Sequence, residues 1–343
     1  MSAHRLAIVG TGLVSAVGWT SAACACAFRA KLSNPTETKF IDAHGAWIMA
    51  HQVELEPPSK GMDQLAKMAV LAIEEALHEL DKTRWHQLPM LLCVAEAERP
   101  GREPGLDDAL MTQIQRELGV SFSPASALVP HGRVAVAVAL AKARALLEAP
   151  SVPGVLIVAV DSLLSKPTLS HYERHDRLLT EANADGFMPG EGAGALWVAR
   201  DEGRARQLLC SGLGFGMETA HLDSGEPLRA DGLTQAIRTS LDEAGLQLHD
   251  MDFRITDNSG EHYYFKEAAL ALTRLMRQGK DAFDIWHPAE FTGEVGAMSG
   301  AAVIVAAREA CLKGYAPGPR ILSHWANDAG QRAALALEFR GES

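Results

Sequence analysis

The sequence predicts an α/β fold of stacked layers built from two similar halves. Short apolar runs alternate with longer amphipathic stretches along all 343 residues, an alternation typical of α/β layering. The polar segment 201–206 separates two series of such runs that follow a similar order. The stretch 134–147 is apolar almost all round, which predicts a helix buried between other elements at the centre of the fold.

The first half, residues 1–202, opens with an apolar run and continues with alternating elements. Its strand candidates are short apolar runs that end at glycine or polar residues. Its helix candidates are longer stretches with apolar residues at helical spacing. The strands are predicted at 6–9, 90–95, 155–160 and 193–199, and the helices at 62–80, 106–118 and 134–147.

The second half, residues 203–343, shows the same alternation without repeating the first half residue by residue. No linker rich in Pro, Gly and Ser separates the halves, so we expect one compact body. The strands are predicted at 253–256 and 334–339, and the helices at 233–244, 265–278 and 300–313.

Composition limits the kind of partner. The formal net charge of −11 argues against nucleic acid or an anionic membrane, because both favour a basic face. No apolar run approaches the ~20 residues that span a bilayer. Residues 1–10 lack a charged segment followed by a long apolar one, which predicts a cytoplasmic protein. The five cysteines have neither zinc nor disulfide spacing, which predicts reduced and mostly buried thiols.

Glycine-rich segments mark both halves of the chain. They include 6–18, 186–195 with its Gly-Glu-Gly-Ala-Gly turn, and 212–214. These segments resemble the β-ketoacyl synthase branch of the thiolase-like superfamily, and the resemblance spans most of the chain. It implies a thiolase-like duplicated fold with layers in the order α-β-α-β-α, a dimer, and acyltransferase activity on acyl thioesters.

The segment 128–136 lies where this family has a turn from a strand into the buried helix. In working members a cysteine in that turn takes the acyl chain as a thioester. The resemblance places Val129 at the cysteine, and valine has no lone pair with which to attack. Neighbouring registers offer Leu128, Pro130 or His131, none of which is a thiol. Ser126 remains the candidate for an acyl carrier that reaches the pocket.

The family's other two catalytic residues are histidines, or a histidine and an asparagine, which hold the thioester carbonyl and stabilise the enolate. The corresponding turns here are 256–260 and 293–297, and they contain Asp257 and Glu294. If both carboxylates face the old pocket, they repel a malonyl carboxylate and a developing enolate. Alternatively, each carboxylate caps the helix that follows it.

The family's last element is a glycine-rich loop with a phenylalanine gate. The segment 325–331 keeps Gly330 and loses the gate. All the catalytic positions of the family therefore carry different residues in this chain. We interpret as relict active-site positions Val129, Pro130, His131, Thr256, Asp257, Glu294 and Asp328, and as possible pocket residues Ser126, Asn258 and His262.

The carboxylates and imidazoles of this set allow a second interpretation. Asp257, Glu294, Asp328, His131 and His262 have the chemistry to bind a metal or to act as general acids and bases. Their spacing has no recognisable ligand pattern. The sequence therefore predicts neither a metal nor a cofactor.

Two charged segments outside these turns are predicted to be solvated loops. One is the trio Glu96, Glu98 and Arg99, and the other is the run 171–177. The run 171–177 also contains charged and aromatic residues and is long enough to contact a partner.

The combined departures predict a catalytically inactive β-ketoacyl synthase-like protein that acts as a binding partner, scaffold or accessory protein. Two roles fit this description. One is a chain-length or scaffold subunit beside an active synthase. The other is an accessory protein of bacterial secretion effectors, and the turn 293–297 resembles this second group somewhat more. The predicted partners are a second copy of the chain, a related synthase, or a protein client. The alternatives are an acyltransferase with a reorganised site, using Ser126, His131 or carboxylates, and a sensor that keeps a small-ligand cavity.

Overall fold

The computed structural model describes residues 5–342, so the first four residues and Ser343 of the predicted halves lie outside it. The first half contains the strands β1 (Leu6–Val14), β2 (Thr36–Ile41), β3 (Trp47–Ala50), β4 (Met90–Cys93), β5 (Ala127–Val129), β6 (Val155–Ser162) and β7 (Glu191–Arg200), and the helices α1 (Ser21–Ala30), α2 (Gly61–Ala76), α3 (Leu110–Leu118), α4 (Ala135–Leu146) and α5 (Lys166–Arg174). The second half contains the strands β8 (Gln207–Met217), β9 (Phe253–Thr256), β10 (Ile285–Trp286), β11 (Arg320–Ala326) and β12 (Gln331–Arg340), and the helices α6 (Asp231–Ala244), α7 (His262–Leu275), α8 (Ala289–Thr292) and α9 (Ser299–Leu312).

Ten of the strands form one sheet in the order β10-β9-β11-β12-β8-β1-β7-β6-β4-β5, and β2 and β3 form a separate hairpin. Numbered within its own half, each run of five strands has the same order from edge to centre, 3-2-4-5-1. The halves join where β1 pairs antiparallel with β8. The predicted seam at residue 202 falls between β7 and β8. The division into domains 1–202 and 203–343 stays a prediction.

Helices α4 and α9 lie at the centre, between the two halves of the sheet. Their apolar side chains share one core with residues from both halves, among them Leu140, Ile157, Ile304 and Leu335. Helices α2 and α3 cover the outer face of the first half, and α6 and α7 cover that of the second. The layers are therefore helix, sheet, helix, sheet, helix, which confirms the predicted α-β-α-β-α fold.

Both central helices begin at the same kind of turn. A short 3-10 turn precedes each one, Gly132–Val134 before α4 and Gly296–Met298 before α9. Each turn starts with a glycine in the left-handed region, with φ of +52° at Gly132 and +53° at Gly296. Gly132 lies against Glu96 just after β4, and Gly296 against Asp161 near the end of β6. The turns thus lie at the carboxyl ends of parallel strands, where α/β folds place their sites.

Element boundaries differ from the predicted ones where a glycine interrupts the apolar pattern, or where a strand is too short to show one. β1 continues to Val14, because Gly12 permits contact with α2: an added Cβ would lie 1.9 Å from the Ala72 carbonyl oxygen. The sequence does not predict the edge strands β5 and β10, which have only three and two residues. Cys93 and Cys210 are buried thiols, whereas Cys26 is exposed. Between residues 5 and 342, no helix has the length and apolar character needed to cross a membrane.

Candidate functional site

Three of the predicted relict positions surround one buried cation. Asp257 directly follows β9, Glu294 lies just before the turn into α9, and Asp328 lies in the loop between β11 and β12. Their carboxylates face Arg133, which stands in the turn before α4 and is only 7 % exposed. These residues therefore form one site with an arginine at its centre.

Arg133 is held by three carboxylates and one ring. Its Nε lies 3.0 Å from Asp257 Oδ2 and 3.5 Å from Glu294 Oε2. Its Nη1 lies 3.9 Å from Asp328 Oδ1. The guanidinium lies over the ring of Tyr264, 4.5 Å from its centre, where the ring quadrupole attracts a cation. The side chain is therefore fixed in position, and its charge is already paired.

A second buried arginine, Arg177, lies next to Asp328. It donates to both oxygens of Glu261, at 2.7 and 2.8 Å, and to both oxygens of Asp328, at 2.6 and 3.1 Å. The Tyr264 hydroxyl also donates to Asp328, at 2.6 Å. Burial alone would raise the pKa of Asp328, but the charges of Arg177 and Arg133 hold that pKa far below its ordinary value. Asp328 is therefore ionised at neutral pH.

A third ion pair joins the loop after β4 to β6. Arg99 donates to both oxygens of Asp161, at 2.6 Å each, and both side chains are buried. Such a bidentate, charge-assisted pair is among the stronger hydrogen-bonded contacts in proteins. Asp161 also accepts hydrogen bonds from the backbone N–H groups of Ala297, at 2.9 Å, and Ser162, at 2.8 Å. The Asp161 carboxylate is therefore bonded on all sides.

The charges of the site do not balance if every carboxyl group is ionised. Three arginines meet six acids: Arg99, Arg133 and Arg177 against Glu96, Asp161, Asp257, Glu261, Glu294 and Asp328. Burial raises the pKa of Glu294 to about 7 and also raises the pKa of Glu96. Proton uptake by Glu294 brings the total charge of the site closer to zero.

Glu294 is expected to make stability fall as the pH rises. Its ordinary pKa is 4.5, and burial raises the folded-state pKa to about 7. The folded state thus binds the proton more tightly than the unfolded chain. This contribution to stability is complete below the unfolded pKa and is lost as the pH rises through the folded pKa. Between about pH 5 and about pH 8, we expect the free energy of unfolding of wild type to fall by about 1–3 kcal/mol more than that of Glu294→Gln.

Urea unfolding of both proteins at the two pH values measures this difference. Glu290→Gln, which changes an exposed carboxylate close by in the sequence, is the matched control and is expected to keep the wild-type pH dependence. An identical pH dependence in Glu294→Gln and wild type would contradict the raised pKa of Glu294.

Little space remains between these side chains. The cavity lined by Arg133, Arg177, Glu294 and Asp328 has a volume of about 20 Å³, room for about one water molecule. Arg133 Nη2, Asp257 Oδ1 and Glu294 Oε2 are buried and make no hydrogen bond within residues 5–342. The space around Arg133 is therefore polar and nearly filled, whereas a separate cavity of about 830 Å³ is lined by Arg99 and Asp161.

Val129 belongs to the apolar core. It ends β5, is completely buried and packs in the central cluster around α4 and α9. Pro130 and His131 are half-buried and lead from β5 into the turn that carries Arg133. Thr256 and Asn258 flank Asp257 and are buried, and Thr256 Oγ1 lies 3.0 Å from Nδ1 of His287. No nucleophilic side chain thus stands at the position of Val129.

Two of the predicted pocket residues lie elsewhere, which corrects the sequence analysis. Ser126 precedes β5 at the opposite end of the strand from Val129. Its hydroxyl donates to the Ser123 carbonyl at 2.6 Å and accepts from the Met90 N–H at 2.9 Å. His262 is exposed at the start of α7. The extended strand carries Ser126 away from the site, and the position of His262 on α7 turns it to solvent.

Neither carboxylate caps the α-helix that follows it, because the N-cap residues of α7 and α9 are Glu261 and Met298 and neither helix has a side-chain capping hydrogen bond. Glu294 Oε1 accepts the N–H of Gly296 at 2.9 Å, within the turn that begins α9. Asp257 makes no such bond at α7. Its Oδ2 accepts instead from Arg133 Nε and from the Ala326 N–H, each at 3.0 Å. Asp257 therefore joins β9 to β11 and to Arg133.

The prediction of two solvated loops is wrong for the residues that matter most. Arg99 of the first segment is buried, although Glu98 beside it is exposed. In the run 171–177, Tyr172 and Arg177 are buried in the site. Both arginines are drawn inside because carboxylates distant in sequence pair with them.

The arrangement does not favour a metal. Within the part of the chain that the structure describes, no group of three or more His, Cys, Asp or Glu side chains is placed to hold a metal ion. Guanidinium groups lie between the carboxylates of the site, and a divalent cation there would meet their positive charge. His131 is half-buried before α4, and His262 is exposed at the start of α7.

Sequence reasoning misses Arg133, Arg177 and Tyr264, although one signal for Arg133 exists. Arg133 is the only charged residue between Glu117 and Lys142. A lone charge in a long apolar stretch must be buried with a partner or turned to solvent. Arg177 and Tyr264 carry no comparable signal, because each lies in a segment rich in polar residues.

The repeated strand order and the two central helices form a mixed α/β fold that matches the fold of solved ketosynthases. The sequence matches no family model and no curated protein. The structure resembles the ishigamide ketosynthase/chain length factor, with a TM-score of 0.79 and 17% identity, covering 98% of this chain and 100% of that one.

Two further similar structures are complexes. AntDE:AntF, a type II PKS acyl-carrier protein in complex with its hexaketide-bound ketosynthase, gives a TM-score of 0.80 at 15% identity, covering 98% of this chain and 99% of that one. The ketosynthase ApeO in complex with its chain length factor ApeC, from Xenorhabdus doucetiae, gives 0.79 at 13% identity and 98% of both chains. At such identities the likeness shows the fold, and any activity has to be argued from the site.

Proposed function

We propose that this is a catalytically inactive protein with the ketosynthase fold, which acts by binding another protein. The observation that carries the proposal is the buried Arg133 with its carboxylates, which fills the space where substrate would react. A cytoplasmic location remains a prediction from the sequence.

The site lacks the nucleophile that a condensation reaction requires. Val129 stands at the turn into α4, inside the apolar core. Ser126 is bonded to backbone groups at the far end of β5. A thioester entering the site would therefore meet no nucleophile at the position of Val129.

The charged groups of the site are also committed to one another. An enolate or a malonyl carboxylate needs donors that are free to bind it. Arg133 and Arg177 direct their guanidinium groups at Asp257, Glu261 and Asp328. A substrate anion would have to displace buried carboxylates from these pairs, which favours a structural role for the arginines.

The partner we propose is another chain of the same fold. One similar structure is a ketosynthase/chain length factor, and another is a ketosynthase in complex with its chain length factor. An active synthase would supply the nucleophile that this chain lacks. The other two possible outcomes are a homodimer and a complex with a protein client such as a secretion effector. The experiment described next distinguishes them.

Intact-mass spectrometry after incubation with acyl- and malonyl-thioesters tests the loss of activity, with carbon dioxide release measured in parallel and an active synthase as control. We expect neither an adduct nor carbon dioxide above background. A stoichiometric adduct at Ser126 or His131, or turnover, would establish instead an acyltransferase with a reorganised site. Native mass spectrometry with candidate synthases and clients then identifies the partner, and a homodimer that binds none of them would contradict the heterodimer.

Restoring the nucleophile alone is expected to leave the protein inactive. In Val129→Cys the new thiol lies in the apolar core, where burial raises a thiol pKa and suppresses the thiolate. Arg133 and its partners still fill the adjoining space. Intact-mass spectrometry with acyl thioesters is expected to show no adduct above the wild-type background. Stoichiometric acylation of Cys at position 129 would mean that the site opens in solution and would contradict the closed site.

A further inference from the structure

Another cavity lies away from the Arg133 site, between α1, β10, α8 and α9. Its volume is about 320 Å³, within the lower range of small-molecule sites. Its wall includes Phe28 and Arg29 of α1, Trp286 of β10, Phe291 of α8 and Tyr315. None of these residues lines the Arg133 site, so the cavity is separate from the site already described.

The wall of this cavity is built from aromatic rings arranged in two stacked pairs. Phe28 and Phe291 have ring centres 5.5 Å apart with an interplanar angle of 26°. Trp286 and Tyr315 have ring centres 6.2 Å apart with an angle of 24°. All four side chains are half-buried, so part of their surface remains accessible. The accessible parts of these rings favour a planar, apolar ligand body, which can pack against the ring edges.

Two cations stand beside these rings. The guanidinium of Arg29 lies over Tyr315, 4.7 Å from the ring centre, which fixes its plane and leaves the N–H groups at its edge free. Lys31 follows α1 in the left-handed conformation and also lines the cavity. Neither cation forms an ion pair with another described residue. One exposed acid, Glu290, is among the lining residues, which leaves this cavity net positive on a protein of net charge −11.

The histidine of the cavity adds no charge at neutral pH. Burial lowers the pKa of His287 to about 4, so its imidazole is neutral. Its Nδ1 lies 3.0 Å from Thr256 Oγ1, which fixes the ring. The charge that faces a ligand therefore comes from Arg29 and Lys31, and it does not change between about pH 6 and about pH 8.

We propose that this cavity binds a small planar aromatic anion, a molecule of one or two fused rings that carries a carboxylate or another anionic group. The rings of Phe28, Trp286, Phe291 and Tyr315 contact the ligand body, and Arg29 and Lys31 bind its anionic group. This site is independent of the proposed inactivity at Arg133, since it uses none of the same side chains.

Isothermal titration and ligand-observed NMR with 2-naphthoate test the site on the full chain. We expect saturable 1:1 binding in wild type and a loss of affinity of about tenfold in Arg29→Gln, because a charge-assisted contact is removed. Lys31→Gln, at an exposed position, is expected to weaken binding by a smaller factor. Arg238→Gln is the matched control: it removes an exposed helix arginine that forms no ion pair with another described residue, and it is expected to bind as wild type does.

Two further compounds separate the contribution of the aromatic rings from that of the anionic group. Naphthalene-2-methanol keeps the rings and lacks the charge, whereas cyclohexanecarboxylate keeps the charge and lacks the rings. Both are expected to bind at least about tenfold more weakly than 2-naphthoate. No saturable 2-naphthoate binding, equal affinity of Arg29→Gln and Arg238→Gln, or equal binding of cyclohexanecarboxylate would overturn the proposal. Thermal melting of each variant confirms that it is folded before its affinity is compared.

Discussion

Replacing Arg133 with methionine is expected to lower the free energy of unfolding by about 3–5 kcal/mol, the range for removing one partner of a buried ion pair. Methionine retains much of the apolar stem, so the main change is the loss of charge. Asp257 and Glu294 would then remain buried beside each other without the cation between them. Tyr264 would also lose the guanidinium that lies over its ring. Urea unfolding at neutral pH measures the loss.

An exposed ion pair provides the control for this prediction. Arg274 pairs with Asp231 on the surface, where both side chains are largely accessible, and Arg274→Met is expected to cost at most about 1 kcal/mol. Adding Asp257→Asn to Arg133→Met is expected to restore part of the lost stability, because it removes one of the unpaired charges. Equal stability of Arg133→Met and Arg274→Met would show that the buried arginine is not held by charge.

The fold is predictable from the sequence because burial leaves a strong pattern. The stretch around α4 is apolar almost all round, and it lies between the two halves of the sheet as predicted. The strand at 155–160 is a continuous apolar run, as expected of a strand covered on both faces, and β6 includes it. The edge strands β5 and β10 escape prediction, because so few residues show no periodicity.

The site is less predictable, because it depends on pairs of residues far apart in the chain. The sequence indicates that Val129, Asp257 and Glu294 replace catalytic residues, but it does not show what joins them. Arg133 and Asp257 are separated by 124 positions, and Arg177 and Asp328 by 151. The sequence places Asp257 and Glu294 at the old pocket, and the position of Arg133 beside both explains how two buried carboxylates are tolerated there.

Gly296→Ala is expected to lower the free energy of unfolding by about 2–4 kcal/mol in total, for two reasons that can be separated. Its φ of +53° lies in the left-handed region, which costs a residue with a Cβ about 1–2 kcal/mol. The new Cβ would also lie 2.1 Å from Asp161 Oδ2 and 2.9 Å from Arg99 Nη1. Asp161 is bonded to Arg99 and to two backbone N–H groups, so it cannot move aside without breaking those bonds. Thermal and urea unfolding measure the combined loss.

Gly314→Ala isolates the backbone part of this effect. Gly314 follows α9 with a φ of +71°, and no atom lies within 4 Å of the position that its Cβ would take. It is expected to lose only the 1–2 kcal/mol of the left-handed conformation, so the difference between the two variants measures the contact with the Arg99–Asp161 pair. Equal losses would mean that the pair yields to the methyl group. A larger loss in Gly296→Ala would show that the turn into α9 requires glycine because a fixed ion pair occupies the space beside it.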